Sequence, residues 1–213
     1  MRAVIFANGV MPSIRKAAEL VKPDDFIISA DGGMRFILAF GINPDLLVGD
    51  LDSILPDQLD QAVAGGTEVL QFPADKDETD LELAVSEVQK RGYNECLVVG
   101  GLGGRMDQTL ANIYMIAAFS TPGFTIYMDD GCERLDVIQH ELLVQGNIND
   151  TISLIPLFKK VEGITTKGLK YQLMDETLFL DKTRGISNVL IAGSAKIKIR
   201  SGKLLCVHRR GDC

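Results

Sequence analysis

Aspartate and glycine gather at five places in this chain, each just after a short apolar run. Asn8 and Gly9 follow residues 3–6, and Asp31, Gly32 and Gly33 follow 26–29. GDLDS at 49–53 follows 46–48, PADKDETD at 73–80 follows 68–70, and GGLGGRMD at 100–107 follows 96–99. Clustered carboxylates suit a hard divalent cation, and successive amides in a Gly-rich loop suit phosphate oxygens.

Asp50 and Asp52 are one residue apart. In extended backbone such side chains point the same way, and two charges about 4 Å apart repel by roughly 4 kcal/mol at an effective dielectric of 20. A cation beside them relieves that repulsion, although turn and N-cap duties also suit aspartate at these positions. Asp75, Asp77, Glu78 and Asp80 form a second acidic run around Lys76 and Thr79. Thr79 with Glu82 predicts a capping box, and acidic residues in a first helical turn complement the macrodipole. Capping does not require three aspartates and a lysine, so the expectation is a metal site spanning both clusters. In the last loop Gly100, Gly101, Gly103 and Gly104 let backbone approach a ligand, Arg105 can grip a phosphate in bidentate fashion, and Asp107 doubles as the N-cap of the next helix.

The elements needed to position these loops follow from periodicity. Strands are expected at 3–6, 26–29, 46–48, 68–70, 96–99 and 125–127, alternating with helices near 13–20, 34–39, 57–63, 80–90 and 108–119, the pattern of a parallel sheet built from βαβ units. The helix from Asp80 carries Leu81, Ala84, Val85 and Val88 on one stripe, with Gly92 at its end. Open parallel sheets bind ligands at the carboxyl ends of their strands, where all five loops fall. After Gly131 the helical period fades. Short runs at 151–157, 169–173, 177–180, 189–192, 195–200 and 203–209 read as strands, with Ser201 and Gly202 as a hairpin turn. The expected fold is an α/β three-layer domain over 1–130 followed by an antiparallel β-sandwich over 131–213.

Composition narrows the partners. The 213 residues are 46% apolar and 24% charged with a net charge of −7, which disfavours nucleic acid, whose binding needs clustered Lys and Arg. Four cysteines without CxxC spacing and two histidines supply no zinc cluster and are expected to be reduced thiols in a cytoplasm. His140 and His208 fall in the β half and read as structural. Residues 1–10 are too briefly apolar for a secretory segment, and no run of about 20 apolar residues predicts a membrane span. P-loop, GxGxxG and GxSxG motifs are missing, so phosphate chemistry would rest on metal and glycine amides. Lys196, Lys198 and Arg200 alternate with Ile197 and Ile199, as on a solvated strand face.

The strings DGG, GDLDS, DKDETDLELA and GGRMDQTLANI, in this order, resemble the thiamin pyrophosphokinase family, and GLKYQL at 168–173 with GISN at 185–188 resembles its thiamin-binding sandwich. The resemblance spans nearly the whole chain. It implies transfer of the diphosphate of ATP to the hydroxyl of thiamin with Mg2+, yielding AMP, in a homodimer whose thiamin site lies at the subunit interface. It further implies Asp50, Asp52 and Asp80 as metal ligands. Asp31, Gly32, Gly33, Lys76, Thr79, Gly103 and Gly104 would face ATP, and Asp77, Arg105 and Asp107 would join the catalytic set. Ser187, Asn188 and Gln108 would meet thiamin. Gln108 replaces a histidine common in the family, and Val189 replaces an acidic residue that could partner the thiazolium. The rival readings are a diphosphokinase for another hydroxymethyl heterocycle, such as a pterin, a metal-dependent nucleotide hydrolase, and a non-catalytic sensor of nucleotide or thiamin.

Overall fold

The computed structural model describes residues Met1–Cys213. They divide into two compact units, Met1–Gly131 and Cys132–Cys213.

In the first unit β1 (Arg2–Phe6), β2 (Phe26–Ala30), β3 (Leu46–Gly49), β4 (Glu68–Gln71), β5 (Glu95–Val99) and β6 (Thr125–Asp129) form a parallel sheet in the order β6-β5-β1-β2-β3-β4. Helices α1 (Ile14–Ala18), α2 (Met34–Ala39), α3 (Pro56–Ala64), α4 (Asp80–Lys90) and α5 (Met106–Phe119) link the strands, α2 being preceded by a 3-10 turn at Asp31–Gly33. One face of the sheet packs Val4, Phe6, Leu47 and Leu97 against Ala17 of α1, Ile37 of α2 and Ala62 of α3. The alternate residues Ala3, Ile5, Ile28, Val48 and Val98 are buried as well, and α4 packs along β1, β2 and β3. A parallel sheet covered on both faces makes three layers. The strand order reverses direction between β1 and β5, the switch point at which open parallel sheets bind ligands.

Local chemistry fixes the helix ends. Thr79 Oγ1 accepts from the Glu82 amide at 3.2 Å and starts α4, which buries Leu81, Ala84, Val85 and Val88 as its stripe requires. Gly92, at φ 81°, follows the last turn. Helix α5 begins at Met106, two residues earlier than expected, with Arg105 at the N-cap position and no side-chain cap bond. Asp107 therefore lies in the first turn rather than capping the helix.

The second unit is an antiparallel β-sandwich. One sheet runs β12 (Asn188–Val189), β9 (Thr151–Pro156), β14 (Leu204–Arg209), β7 (Glu133–Ile138). The other runs β11 (Glu176–Phe179), β10 (Lys160–Lys167), β13 (Ser194–Lys198), β8 (Glu141–Gln145). Ile152, Leu154 and Cys206 from the first meet Val161, Ile164 and Ile197 from the second in one core. Three sequence expectations are corrected. Ser201 and Gly202 do not close a hairpin, because β13 pairs with β8 and β10 while β14 pairs with β7 and β9, so the turn carries the chain from one sheet to the other. Residues 169–173 form a loop with a single bridge, Leu169 to Leu190, instead of a strand. Finally, the cysteines are not all free thiols: Cys132 and Cys213 are joined in a disulfide, and the buried Cys96 and Cys206 stay free. Lys196 and Lys198 both lie 3.2 Å from Glu141 on an exposed strand face.

Candidate active site

The acidic corner of the first unit is built at the ends of β2 and β3. Single ligand oxygens of Asp31, Asp50 and Asp52 all fall within 4.8 Å of one another. Extended backbone does not bring Asp50 and Asp52 together, as the sequence had suggested. Leu51 between them adopts φ 70°, and Asp31 adopts φ 46°. Left-handed geometry costs a non-glycine residue roughly 1–2 kcal/mol, so surrounding structure must hold these turns. Ser53 supplies part of that hold by donating its hydroxyl to Asp31 Oδ1, and the Asp52 amide donates to Asp50 Oδ1 at 3.2 Å.

Crowded negative charge shows in the acidity of Asp52. Its carboxyl is pushed above the usual range, first by the Asp50 charge, then by lost hydration, then by Asp31, with Asp80 adding to the effect. Asp80 begins α4, and its Oδ1 is shielded from solvent with no hydrogen-bond partner. Lys76 Nζ stands 3.0 Å from that oxygen, near enough for an ion pair but out of line for a hydrogen bond, and donates instead to the Pro73 carbonyl at 3.0 Å. Mutually repelling carboxylates suit a hard divalent cation, and these residues fit Mg2+.

Beside this corner lies an open cleft. Asp31, Thr79, Asp80, Gly103 and Gln108 line it, so the structure gathers these sequence-selected residues from three segments that follow β2, β4 and β5. The loops after β1 and β5 meet backbone to backbone through Gly9 N to Gly100 O at 2.7 Å and Val10 N to Leu102 O at 2.9 Å. Asn8, Thr109 and Asn112 also line the cleft and were not selected as site residues from sequence. Asn112 Nδ2 donates to Gly101 O at 2.8 Å, tying α5 to the glycine loop. Its signal was available, since Asn112 lies one helical turn beyond Gln108 on the same face.

Other selected residues stand elsewhere. Gly32 and Gly33 serve packing, since a Cβ on Gly33 would stand 1.9 Å from the Phe6 carbonyl oxygen, letting the turn press against β1. Asp77 is exposed on its loop. Arg105 and Asp107 are both largely exposed and grip each other, Nε to Oδ1 at 3.2 Å and Nη2 to Oδ2 at 2.5 Å. The guanidinium holds the Asp107 carboxyl below its usual range. Gly104, at φ 71°, shares their loop.

In the second unit Tyr171, Ile186 and Asn188 line a hollow. Tyr171 is 62% exposed there. The Asn188 side chain is committed to backbone: Oδ1 accepts from the amides of Tyr171 at 3.0 Å and Val189 at 2.9 Å, and Nδ2 donates to the Tyr171 carbonyl at 2.7 Å. Ser187 is exposed at φ 57°, its amide bonded to Ser153 Oγ at 3.0 Å. His208 is buried, Nε2 2.8 Å from Asp150 Oδ2, which fits a structural histidine.

Comparison with known proteins gives these loops a context. Residues 17–128 match the thiamin pyrophosphokinase catalytic domain, and 139–204 match the thiamin pyrophosphokinase vitamin B1 binding domain. Thiamine pyrophosphokinase of Bacillus subtilis is 28% identical over 183 residues, covering 85% of this chain and 86% of that protein. Thiamine pyrophosphokinase 2 of Arabidopsis thaliana is 28% identical over 164 residues, 73% of this chain, and the match spans 61% of the plant protein. The crystal structure of the Bacillus subtilis enzyme superposes with a TM-score of 0.88 at 26% identity, covering 99% of this chain and 100% of that one. The two domain matches together cover most of the chain, in the order in which its two units occur, and the chain belongs to the thiamin pyrophosphokinase family.

Proposed function

We propose that this chain transfers the diphosphate of ATP to the hydroxyl of thiamin, giving thiamin diphosphate and AMP. The observation that carries this reading is the convergence of Asp31, Asp50 and Asp52, whose negative field Asp80 reinforces, at the edge of a crevice where a parallel sheet binds its ligands. The thiamin hydroxyl attacks the β-phosphorus, the bond from that phosphorus to the bridging oxygen breaks, and its electrons leave with AMP. Positioning and charge neutralisation account for most of the acceleration in such transfers.

Asp50, Asp52 and Asp80 are proposed to hold Mg2+, with Asp31 added to the set by its place in the cluster. When bound, Mg2+ offsets the negative charge of the phosphate oxygens. The amides around Gly103 and Gly104 cradle those oxygens, and Lys76 and Thr79 face the same triphosphate. Arg105 joins them by exchanging its Asp107 partner for a phosphate. Asp80 or Asp77 orients the attacking hydroxyl and takes its proton. Gln108 faces the acceptor side. The catalytic work belongs to the first unit and acceptor binding to the second, where Tyr171 offers an aromatic face and Asn188 holds the loop that bears it. Ser187 stands beside Asn188 at the rim.

A homodimer with thiamin at the subunit interface completes the reading, and sedimentation of the active species checks it. No helix is long and apolar enough to cross a membrane. A cytoplasmic setting is proposed from the need for ATP and Mg2+, and the Cys132–Cys213 bond stands against it, since structural disulfides are rare in a reducing compartment. The test of function is mass spectrometry of products from ATP, Mg2+ and a panel of acceptors. Thiamin alone should yield a diphosphorylated product with AMP. Faster turnover of a hydroxymethylpterin, or AMP with pyrophosphate formed without acceptor, would select a rival reading.

A further inference from the structure

Lys76 stands in an unusual relation to the acidic corner. Its Nζ lies 3.0 Å from Asp80 Oδ1, the shielded oxygen that no hydrogen bond satisfies, and the Pro73 carbonyl also holds the ammonium at 3.0 Å. The Lys76 side chain is only 14% exposed and extends from a loop with no regular structure between β4 and α4. We propose that Lys76 is a built-in counter-cation of Asp80 that makes divalent-metal binding depend on the nucleotide. The inference rests on the proposed role of Asp80 toward the metal.

An ammonium and a divalent cation on the same carboxylate repel each other, so metal binding to Asp80 is opposed while Lys76 stays in place. Withdrawal alone strands the ammonium from its acidic partner. A triphosphate in the cleft provides new acceptor oxygens, and a flexible four-carbon stem on a loop can reach for them. Metal alone therefore binds against Lys76, whereas metal with nucleotide binds alongside it. The same residue thus opposes the first event and favours the second.

Mn2+ binding followed by electron paramagnetic resonance on the full chain tests this without turnover, with and without α,β-methylene-ATP. Lys76→Met keeps the apolar stem and removes the charge. Without nucleotide it should bind Mn2+ about tenfold more tightly than wild type, equivalent to about 1.4 kcal/mol. With the analogue that advantage should vanish or reverse. Unchanged or weaker Mn2+ affinity of nucleotide-free Lys76→Met overturns the proposal, and so does a tenfold gain that persists when the analogue is bound. Asp50→Asn separates the two readings. If wild type binds Mn2+ and Asp50→Asn does not, the metal site stands whatever Lys76 does. If neither wild type nor Lys76→Met binds Mn2+ under any condition, the metal reading and this proposal fall together.

Discussion

The carboxyl of Asp80 rests against the α-carbon of Gly49: a methyl group built there would stand 3.3 Å from Asp80 Cγ and 3.4 Å from Oδ1. Strand β3 thus ends on a glycine at φ 150°, and the space its missing side chain leaves is where the first residue of α4 reaches the acidic corner.

Gly49→Ala should therefore damage the fold as well as the reaction, because φ 150° is a backbone conformation that a residue with a Cβ rarely adopts. Displacing Asp80 by a few tenths of an ångström is expected to lower kcat/KM at least tenfold, or about 1.4 kcal/mol of transition-state stabilisation. The KM for thiamin should hold steady. Steady-state kinetics beside a thermal melt check this, and wild-type kinetics in the variant would contradict it.

Much of the α/β unit was legible because its signals are local. Leu81, Ala84, Val85 and Val88 repeat at helical spacing behind a threonine cap, and α4 forms over the expected residues. Of the three grouped carboxylates, Asp50 and Asp52 were legible as candidate metal ligands, whereas Asp31 was read as facing ATP, and the geometry was not legible. Nothing in GDLDS announces that Leu51 turns left-handed, a conformation a leucine takes only under tertiary constraint. The sandwich was harder to read. Strand β10 contains Gly163 at φ 70°, packed against Arg200, where its register with β11 shifts, and such a bulge breaks the alternation that marks a strand. Asn188 was assigned to thiamin by the family resemblance alone, and nothing in the sequence shows that its amide stitches the Tyr171 backbone. The Cys132–Cys213 pairing, 81 residues apart, leaves no trace in local spacing.

That disulfide closes a loop around nearly the whole second unit. In the chain-entropy model a loop of this size stabilises by up to roughly 4 kcal/mol. A reducing agent should lower the melting temperature of the wild type, and Cys213→Ser should melt at the reduced value with or without reductant. A wild-type melt indifferent to reduction would show that the bond contributes nothing.

Asp150 contributes to the pH dependence of the second unit. Burial pushes its carboxyl upward, but the His208 ring and the amides of Gly211 and Asn147 outweigh that and hold it below its ordinary value. A depressed folded-state value contributes stability above the unfolded one, near about pH 4, and loses it as pH falls through the folded one. Asp150→Asn should cost about 2 kcal/mol at pH 7, with the gap to wild type narrowing towards pH 3. Urea denaturation at both pH values measures it, and a gap independent of pH would reject the assignment.

The central claim, that the Asp31, Asp50, Asp52 and Asp80 corner drives diphosphate transfer to thiamin with a divalent metal, is tested most directly by phosphorus NMR of the complete reaction. Wild type with Mg2+, ATP and thiamin should give AMP and thiamin diphosphate in equal amounts, with neither ADP nor free pyrophosphate. Asp52→Asn, or wild type with Mg2+ chelated, should give no product. Appearance of ADP, or full product from Asp52→Asn, would contradict the account.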